Sequence, residues 1–336
     1  MKVSATWKNE ESKAKTARIN AEETENGEAR MRTGRELWLG TGVVLIAVSL
    51  VVGACWAAET ANRPKVLGIA YVTFKVTDLE KAKAFYGDEL GLASGGVKSG
   101  NNVQASYVVN QDQRVDLAKT APGTGGSFLV EIGLATDNVA RMREYLTAKG
   151  IPADRIATWP DGTKYFPTAD PEGTRIVFVE QKRMGSETGA AGAISHKMNH
   201  AGIIVKDADT ENRFYVDTLG FHVYWHGGMK EDETNWMAMQ VPDGTDWIEY
   251  MLRIPPEPDK HTRGVMYHIS LGVPSVADAA KELHANGYTF EEPKIGRDGK
   301  WQLNLYDPDQ TRVELMEFTP VQKPCCSEFT GKQPEP

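Results

Sequence analysis

Between residues 66 and 320 the spacing of apolar residues changes repeatedly from the two-residue period of a strand to the longer period of a helix. The clearest stretch, NHAGIIVKDADTENRFYVDTLGF (199–221), predicts a strand, a charged turn and an amphipathic helix that stops at Gly220. Apolar runs at 222–225, 235–241 and 247–252 then predict three further strands. One strand, one helix and three strands therefore form a unit.

This unit is repeated along the chain. VTDLEKAKAFYGDELGL (76–92) aligns without a gap with VKDADTENRFYVDTLGF (205–221), and ADPEGTRIVFVE (169–180) aligns with YDPDQTRVELME (306–317). Such self-similarity indicates a duplicated structural unit. We therefore expect an α+β protein of four βαβββ units. They pair into two cupped mixed sheets, at 66–182 and 196–320, joined by the Gly/Ala-rich linker 183–195.

Four residues of the second pair stand at equivalent places in the repeat. His200 and His268 begin the first strands of their units, while Glu249 and Glu314 lie in the last strands. Two facing copies of one unit would bring these side chains together. Imidazole and carboxylate form a ligand set for a divalent transition metal, and burying two carboxylates without a cation would be costly.

Composition narrows the classes of partner. The formal net charge is −8 and no Lys/Arg-rich block is present, which argues against nucleic acid. Cys325 and Cys326 are adjacent in a polar tail, 321–336, that is expected to lack persistent structure. Neighbouring cysteines rarely bond to each other, so no disulfide framework is expected.

The N-terminal region has a different character. Residues 1–36 are polar and predicted to be disordered, and Met31 is a possible true start that would leave 1–30 untranslated. An uncharged apolar run, LWLGTGVVLIAVSLVVGA (37–54), then predicts a signal peptide or membrane anchor over 37–58, with a lipobox-like sequence ending at Cys55. The globular part is thus expected to be exported: periplasmic, secreted or membrane-anchored, and in contact with the membrane only through this segment or a lipid.

The pieces HAGIIVKD, FYVDTLG and DPDQTRVELME, repeated at constant offset, resemble the vicinal oxygen chelate superfamily. That family includes glyoxalase I, type I extradiol dioxygenases, fosfomycin and bleomycin resistance proteins, and methylmalonyl-CoA epimerase. The resemblance covers residues 66–320. It implies a cupped sheet around one divalent ion (Ni, Zn, Co, Mn or Fe(II)), with His200, Glu249, His268 and Glu314 as ligands.

The same resemblance makes the first pair a degenerate structural domain. Its residues at the ligand positions are Tyr71, Asp116, Glu131 and Val177, a set without histidine and with one apolar member. We expect this cup to bind no metal.

Three functions are compatible with the resemblance. The preferred one is a glyoxalase-like or epimerase-like lyase or isomerase, in which a small substrate chelates the metal through vicinal oxygens and Glu249 and Glu314 act as catalytic carboxylates. The alternative is an extradiol dioxygenase with His200, His268 and Glu314 around Fe(II). Against that, 296–310 lacks the histidine of the extradiol pattern. The third is a non-catalytic binding or resistance protein. Substrate identity and oligomeric state stay open.

Overall fold

The structure is a computed structural model that describes residues 62–96, 102–121, 128–181 and 191–335. The predicted disordered N-terminus and the apolar segment at 37–58 lie outside these residues, as does much of the linker. Within the described part of the chain, no helix is long and apolar enough to span a membrane.

The first domain is one eight-stranded mixed sheet with strand order β2-β3-β4-β1-β5-β8-β7-β6. Its elements are β1 (Val66–Val76), α1 (Leu79–Lys83) continued by a π-helical segment (Ala84–Glu89), β2 (Ala93–Ser94), β3 (Val103–Val108), β4 (Arg114–Lys119), β5 (Leu129–Thr136), α2 (Val139–Ala148), β6 (Ala157–Thr158), β7 (Lys164–Ala169) and β8 (Arg175–Glu180). The first strands of the two units, β1 and β5, pair antiparallel at the centre.

The second domain repeats this sheet, with strand order β10-β11-β12-β9-β13-β16-β15-β14. Its elements are β9 (Lys197–Ile204), α3 (Ala208–Tyr215), β10 (His222–Gly227), β11 (Trp236–Gln240), β12 (Trp247–Met251), α4 (Lys260–Met266), β13 (His268–Val273), α5 (Val276–Ala285), β14 (Lys294–Ile295), β15 (Trp301–Tyr306) and β16 (Arg312–Glu317). The predicted two sheets of four units are confirmed.

Local sequence signals explain where the helices begin and end. Asp207 caps α3 by accepting backbone N–H groups of Asp209 and Thr210, and Ser275 caps α5 in the same way. Past these helices, Gly220 and Gly287 have φ values of 79° and 89°, a left-handed conformation that glycine adopts without strain.

The short helix α4 was not predicted. Its sequence follows a proline-rich stretch, 255–258, that reads as a loop. The side chain of Asp259 accepts the N–H of Thr262 and starts the helix there, an N-cap that the prolines obscured.

Strand register confirms the equivalences inferred from the repeat. In β1, Tyr71 lies beside Arg114 of β4 and Gly133 of β5. In β9, His200 lies beside Trp247 of β12 and Ser270 of β13. The first-strand positions of the two domains therefore occupy the same place in their sheets.

Each sheet has a large apolar core on its helix side and a smaller space, called the cup, on its opposite side. One continuous apolar cluster fills the helix side of both domains and includes Ile248 and Tyr250 of β12. Trp247 of the same strand belongs instead to a small cluster inside the second cup, with Tyr224, Trp225, Ala238 and Met316. The predicted alternation along β12 is thus confirmed.

Reciprocal hydrogen bonds join the two domains. In the first domain, Glu172 of the Asp-Pro turn accepts the backbone N–H groups of Lys206 and Asp207 at 2.8 and 2.7 Å. In the second domain, Asp309 occupies the equivalent turn position and accepts the N–H of Thr77 at 2.6 Å. The turn before each last strand therefore anchors the start of a helix in the other domain.

The C-terminal tail corrects the sequence-based expectation. Val321 and Gln322 donate their N–H groups to Gly299 O, and the following residues reach β10. There Thr330 N–H donates to Tyr224 O at 2.9 Å, and Phe329 packs against the Tyr224 ring, with centroids 4.8 Å apart. The edge strand β10 has free backbone groups that the tail satisfies, and Phe329 is an apolar anchor in a polar sequence.

The expectation of unpaired cysteines was also wrong. Cys325 and Cys326 form a disulfide. Cys326 has a left-handed backbone with φ of 80°, and this local turn brings the adjacent side chains together.

Glu211 gives a test of the packing around α3. It is wholly buried and its Oε1 accepts the Glu172 N–H at 2.8 Å. Burial, assisted by the charge of Asp170, raises the pKa of the Glu211 carboxyl from 4.5 to about 8. Between those pH values the unfolded chain releases the proton while the folded chain keeps it, so stability is lost as pH rises.

Glu211→Gln removes this titration and keeps an acceptor for the Glu172 N–H. We expect equal stability of variant and wild type near pH 4, and a variant more stable by at least about 1 kcal/mol at pH 8. Chemical denaturation across this pH range measures the difference, with the exposed substitution Glu257→Gln as control. A pH-independent difference would contradict the assignment.

Candidate metal centre

Three predicted ligands converge at one point in the second cup. The Nε2 atoms of His200 and His268 lie 3.0 Å apart. Glu249 Oε2 lies 3.2 Å from His268 Nε2 and 3.6 Å from His200 Nε2. Together these residues form the one group of metal-ligating atoms, all within 4.8 Å of one another, found among the described residues.

The orientation of His268 is fixed by its backbone surroundings. Its Nδ1 lies 3.0 Å from the carbonyl oxygen of Met266, at the end of α4. Because a carbonyl only accepts, Nδ1 carries the proton and Nε2 presents its lone pair to the cup. Gly202 of β9 permits this position, since a Cβ there would lie 2.1 Å from the His268 ring.

His200 faces the same point from β9. Its ring lies against Trp247, with centroids 4.7 Å apart, and its Nδ1 is buried without a hydrogen-bond partner. Two ligands bound at about 2.1 Å and at right angles around one ion would be about 3.0 Å apart, which matches the two Nε2 atoms. The donor set therefore fits a transition-metal ion.

Burial controls the charge of the two histidines. Both side chains are fully buried, and loss of solvent is the main cause that lowers the pKa of each imidazole well below 6.5. Each ring is therefore neutral at physiological pH, the form that binds a metal.

Glu314 lies close to this group but outside its tightest part. Its Oε2 is 3.6 Å from His200 Nε2. Burial raises the pKa of its carboxyl to about 8; the guanidinium of Arg312 opposes the rise, and the negative charge of Glu249 adds to it. A divalent cation would favour the ionised carboxylate and remove this cost.

Sequence analysis did not identify Arg312 as part of this site. Nη2 of Arg312 lies 2.7 Å from His268 Nε2, the nitrogen whose lone pair faces the site. The two-residue period of β16 places Arg312 on the same face as Glu314, and this spacing was the available signal.

A cavity of about 350 Å³ opens beside these residues. One part of its wall is apolar, with Trp225, Met229 and Trp236. The rest is mainly polar and comprises Glu249, Glu314, Arg312, Arg297, Asp298, Gln302, Asn304 and Lys294, together with Ile295 and Gly296. Glu249 and Glu314 thus line a space large enough for a small molecule.

The first cup has different side chains at the positions equivalent to the four candidate ligands. Tyr71 donates its hydroxyl hydrogen to Glu131 at 2.8 Å, and Arg175 Nε donates to the other oxygen of Glu131 at 2.9 Å. Arg114 pairs with Asp116 at 3.0 Å and lies over the Tyr71 ring. Guanidinium groups therefore neutralise the carboxylates of this cup, and its lack of metal stays a prediction.

Comparison with known proteins gives the context of this geometry. The profile of the Glyoxalase/Bleomycin resistance protein/Dioxygenase superfamily matches residues 68–178 and 197–315. No curated protein sequence matches the chain.

Solved structures share the fold. The 2,3-dioxygenase LapB from Pseudomonas sp. KL28 aligns with a TM-score of 0.59 and 16% identity, covering 78% of this chain and 96% of that one. The Mn(II)-bound glyoxalase from Novosphingobium aromaticivorans aligns with a TM-score of 0.57 and 20% identity, covering 76% and 83%. A homoprotocatechuate 2,3-dioxygenase from Arthrobacter globiformis gives 0.54 and 17%, covering 77% and 82%.

Glu249 gives the sharpest test of the ligand set. Glu249→Gln conserves volume, and the neighbouring Ile248 and Tyr250 point to the opposite side of the sheet, so the fold should be retained. Loss of a charged ligand is expected to weaken metal binding by roughly tenfold or more. Titration calorimetry with Mn²⁺ or Co²⁺ measures this, with Glu257→Gln as the exposed control. Unchanged affinity would show that Glu249 is not a ligand.

Proposed function

Because the chain belongs to the Glyoxalase/Bleomycin resistance protein/Dioxygenase superfamily, we propose that it is a metal-dependent lyase or isomerase. Its substrate is a small molecule with vicinal oxygens, bound in the second cup. Its metal ligands are His200, Glu249, His268 and Glu314. The first domain is a structural partner whose cup holds no metal.

The position of Glu249 carries this proposal. Its carboxylate lies within 3.6 Å of both histidine Nε2 atoms, so it belongs to the ligand group together with the histidines. A dioxygenase of the three-ligand type needs only His200, His268 and the carboxylate of the last strand, Glu314. A second carboxylate beside the histidines supports the four-ligand arrangement.

The same carboxylates can move protons. The side chain of Glu249 is 13% exposed and faces the cavity, whereas that of Glu314 is 5% exposed. A divalent ion would supply Lewis acidity that stabilises negative charge on the two substrate oxygens. Glu249 would take the proton from the carbon beside those oxygens, and Glu314 would return it on the other face.

The cavity walls would assist this chemistry. Trp225 and Trp236 cover the apolar part of a substrate and exclude water from it. Arg312 lies beside His268, a candidate metal ligand. Its guanidinium would therefore be near a metal-bound substrate and could bind a substrate oxygen atom that carries developing negative charge.

An extradiol dioxygenase is the second candidate. The tandem arrangement of two domains favours it, since LapB aligns over 96% of its length with this chain. The residues around β15 argue against it. Asn304 lines the cavity there, and no histidine occurs between residues 285 and 336.

The N-terminal sequence supports export as part of the proposal. The apolar run at 37–54, followed by Cys55, would direct the globular part to the outside of the cytoplasmic membrane. The substrate would then be an extracytoplasmic small molecule.

Reconstitution separates the two reactions. Metal-free protein loaded anaerobically with Ni²⁺, Co²⁺, Mn²⁺, Zn²⁺ or Fe²⁺ is mixed with 2-hydroxycarbonyl compounds, 2-oxoaldehyde–thiol adducts and catechols. We expect exchange of a substrate carbon-bound hydrogen with deuterated solvent, measured by mass spectrometry, without oxygen uptake. His268→Ala should reduce this exchange at least ~100-fold. Oxygen consumption with a catechol, on iron alone, would establish the dioxygenase instead.

A further inference from the structure

A lysine is buried among the aromatic residues of the second cup. Lys300 precedes β15 and is 0% exposed, which is unusual for this residue type. The equivalent residue in the first domain, 137 positions earlier (300 − 137), is Thr163. The cation is therefore a feature of the second cup and not of the repeat.

Three aromatic rings enclose its ammonium group. Nζ lies 5.6 Å from the Tyr224 ring centroid, 5.4 Å from that of Trp247 and 5.1 Å from that of Phe329. The Tyr224 hydroxyl is 3.5 Å away. Aromatic faces attract a cation, and the attraction is stronger where water is excluded.

The enclosure is shared between the sheet and the tail. Tyr224 and Trp247 belong to β10 and β12, whereas Phe329 comes from the C-terminal tail. Backbone and side-chain hydrogen bonds hold the tail against β10, including Thr330 N–H to Tyr224 O and His226 N–H to Ser327 Oγ, both at 2.9 Å. The tail therefore closes the cup over the lysine.

The enclosed charge is close to the ligand set. Trp247 lies 5.4 Å from the lysine Nζ, and its centroid is 4.7 Å from that of His200, so this one ring neighbours both the ammonium and a candidate ligand. The positive charge of Lys300 acts on His200. Two carboxylates act on Lys300 in turn: Asp298, whose Oδ1 accepts the Lys300 backbone N–H at 3.2 Å, and Glu314. Charges in such a dry interior interact over several ångströms.

We propose that Lys300 is a specificity-determining residue, which selects ligands that bind in the second cup as anions. This inference rests on the proposed metal centre. A fixed positive charge repels a divalent cation but attracts an anion chelated to it. Removing the charge should therefore weaken anion binding without weakening metal binding, whereas loss of a purely structural residue would weaken both.

The test compares an anionic and a neutral probe on metal-loaded protein. Acetohydroxamate binds metals as a bidentate anion, and imidazole binds as a neutral molecule. Calorimetry gives the affinity of each probe and of Mn²⁺ or Co²⁺ itself. For Lys300→Met we expect acetohydroxamate to bind roughly tenfold more weakly, imidazole within about twofold of wild type, and the metal with equal or higher affinity.

Two variants keep the result interpretable if Lys300→Met folds poorly. Lys300→Arg retains the charge and should bind acetohydroxamate within about threefold of wild type. Phe329→Leu opens the enclosure to water and should weaken acetohydroxamate binding by a smaller factor, because water screens the charge.

The outcomes separate the inference from the function on which it rests. If the wild-type protein binds no metal, both the proposed function and the role of Lys300 are wrong. If wild type binds metal but Lys300→Met binds acetohydroxamate with unchanged affinity, the proposed role of Lys300 is wrong. The same holds if the variant loses equal affinity for both probes. Neither result contradicts the metal centre.

Discussion

The organisation of both cups depends on one electrostatic constraint: ligand-type side chains gathered in a dry interior need positive charge. In the second cup, two neutral imidazoles face each other at 3.0 Å beside a pair of carboxylates. In the first cup, Arg114 and Arg175 bind the carboxylates of Asp116 and Glu131 directly. The second cup also holds a guanidinium, that of Arg312, beside His268 and Glu314. We infer that a divalent ion adds to the charge of Arg312 there, whereas guanidinium groups alone neutralise the carboxylates of the first cup.

The two cups can be compared because each strand position in the first domain has an equivalent position in the second domain. Register places Tyr71 and His200 at the same point of equivalent strands. Glycines make room for one ring in each cup. Gly133 leaves space for the Tyr71 ring, since a Cβ there would lie 2.1 Å from it, while Gly202 leaves space for the ring of His268. Exchange of a few side chains on one scaffold thus separates a structural cup from a candidate metal centre.

Sequence periodicity was sufficient to predict much of this arrangement. The constant offsets between repeats give the two sheets, the shared positions of the four candidate ligands and the faces of β12, because strand alternation and repeat equivalence are local properties. Periodicity and repeat offsets could not show that Glu249 lies within the tightest ligand group while Glu314 lies slightly apart. Such differences come from packing between strands distant in the chain.

The tail and its partners show where local reasoning ends. The polar composition of 321–336 indicates disorder. The tail nevertheless hydrogen-bonds to the edge strand β10, and Phe329 packs against the rings of Tyr224 and Trp225 there. Nothing near Lys300 in sequence reveals that Phe329 encloses it. The contact between Lys300 and Phe329 joins residues from distant parts of the chain and is visible only in the folded protein.

Metal stoichiometry tests the central claim most directly. Elemental analysis of Co²⁺-loaded, gel-filtered protein should compare wild type, His268→Ala in the second cup and Glu131→Gln at the equivalent position of the first cup. The account predicts one ion per chain in wild type and Glu131→Gln, and none in His268→Ala. Two ions per chain in wild type, or an ion retained by His268→Ala, would contradict it.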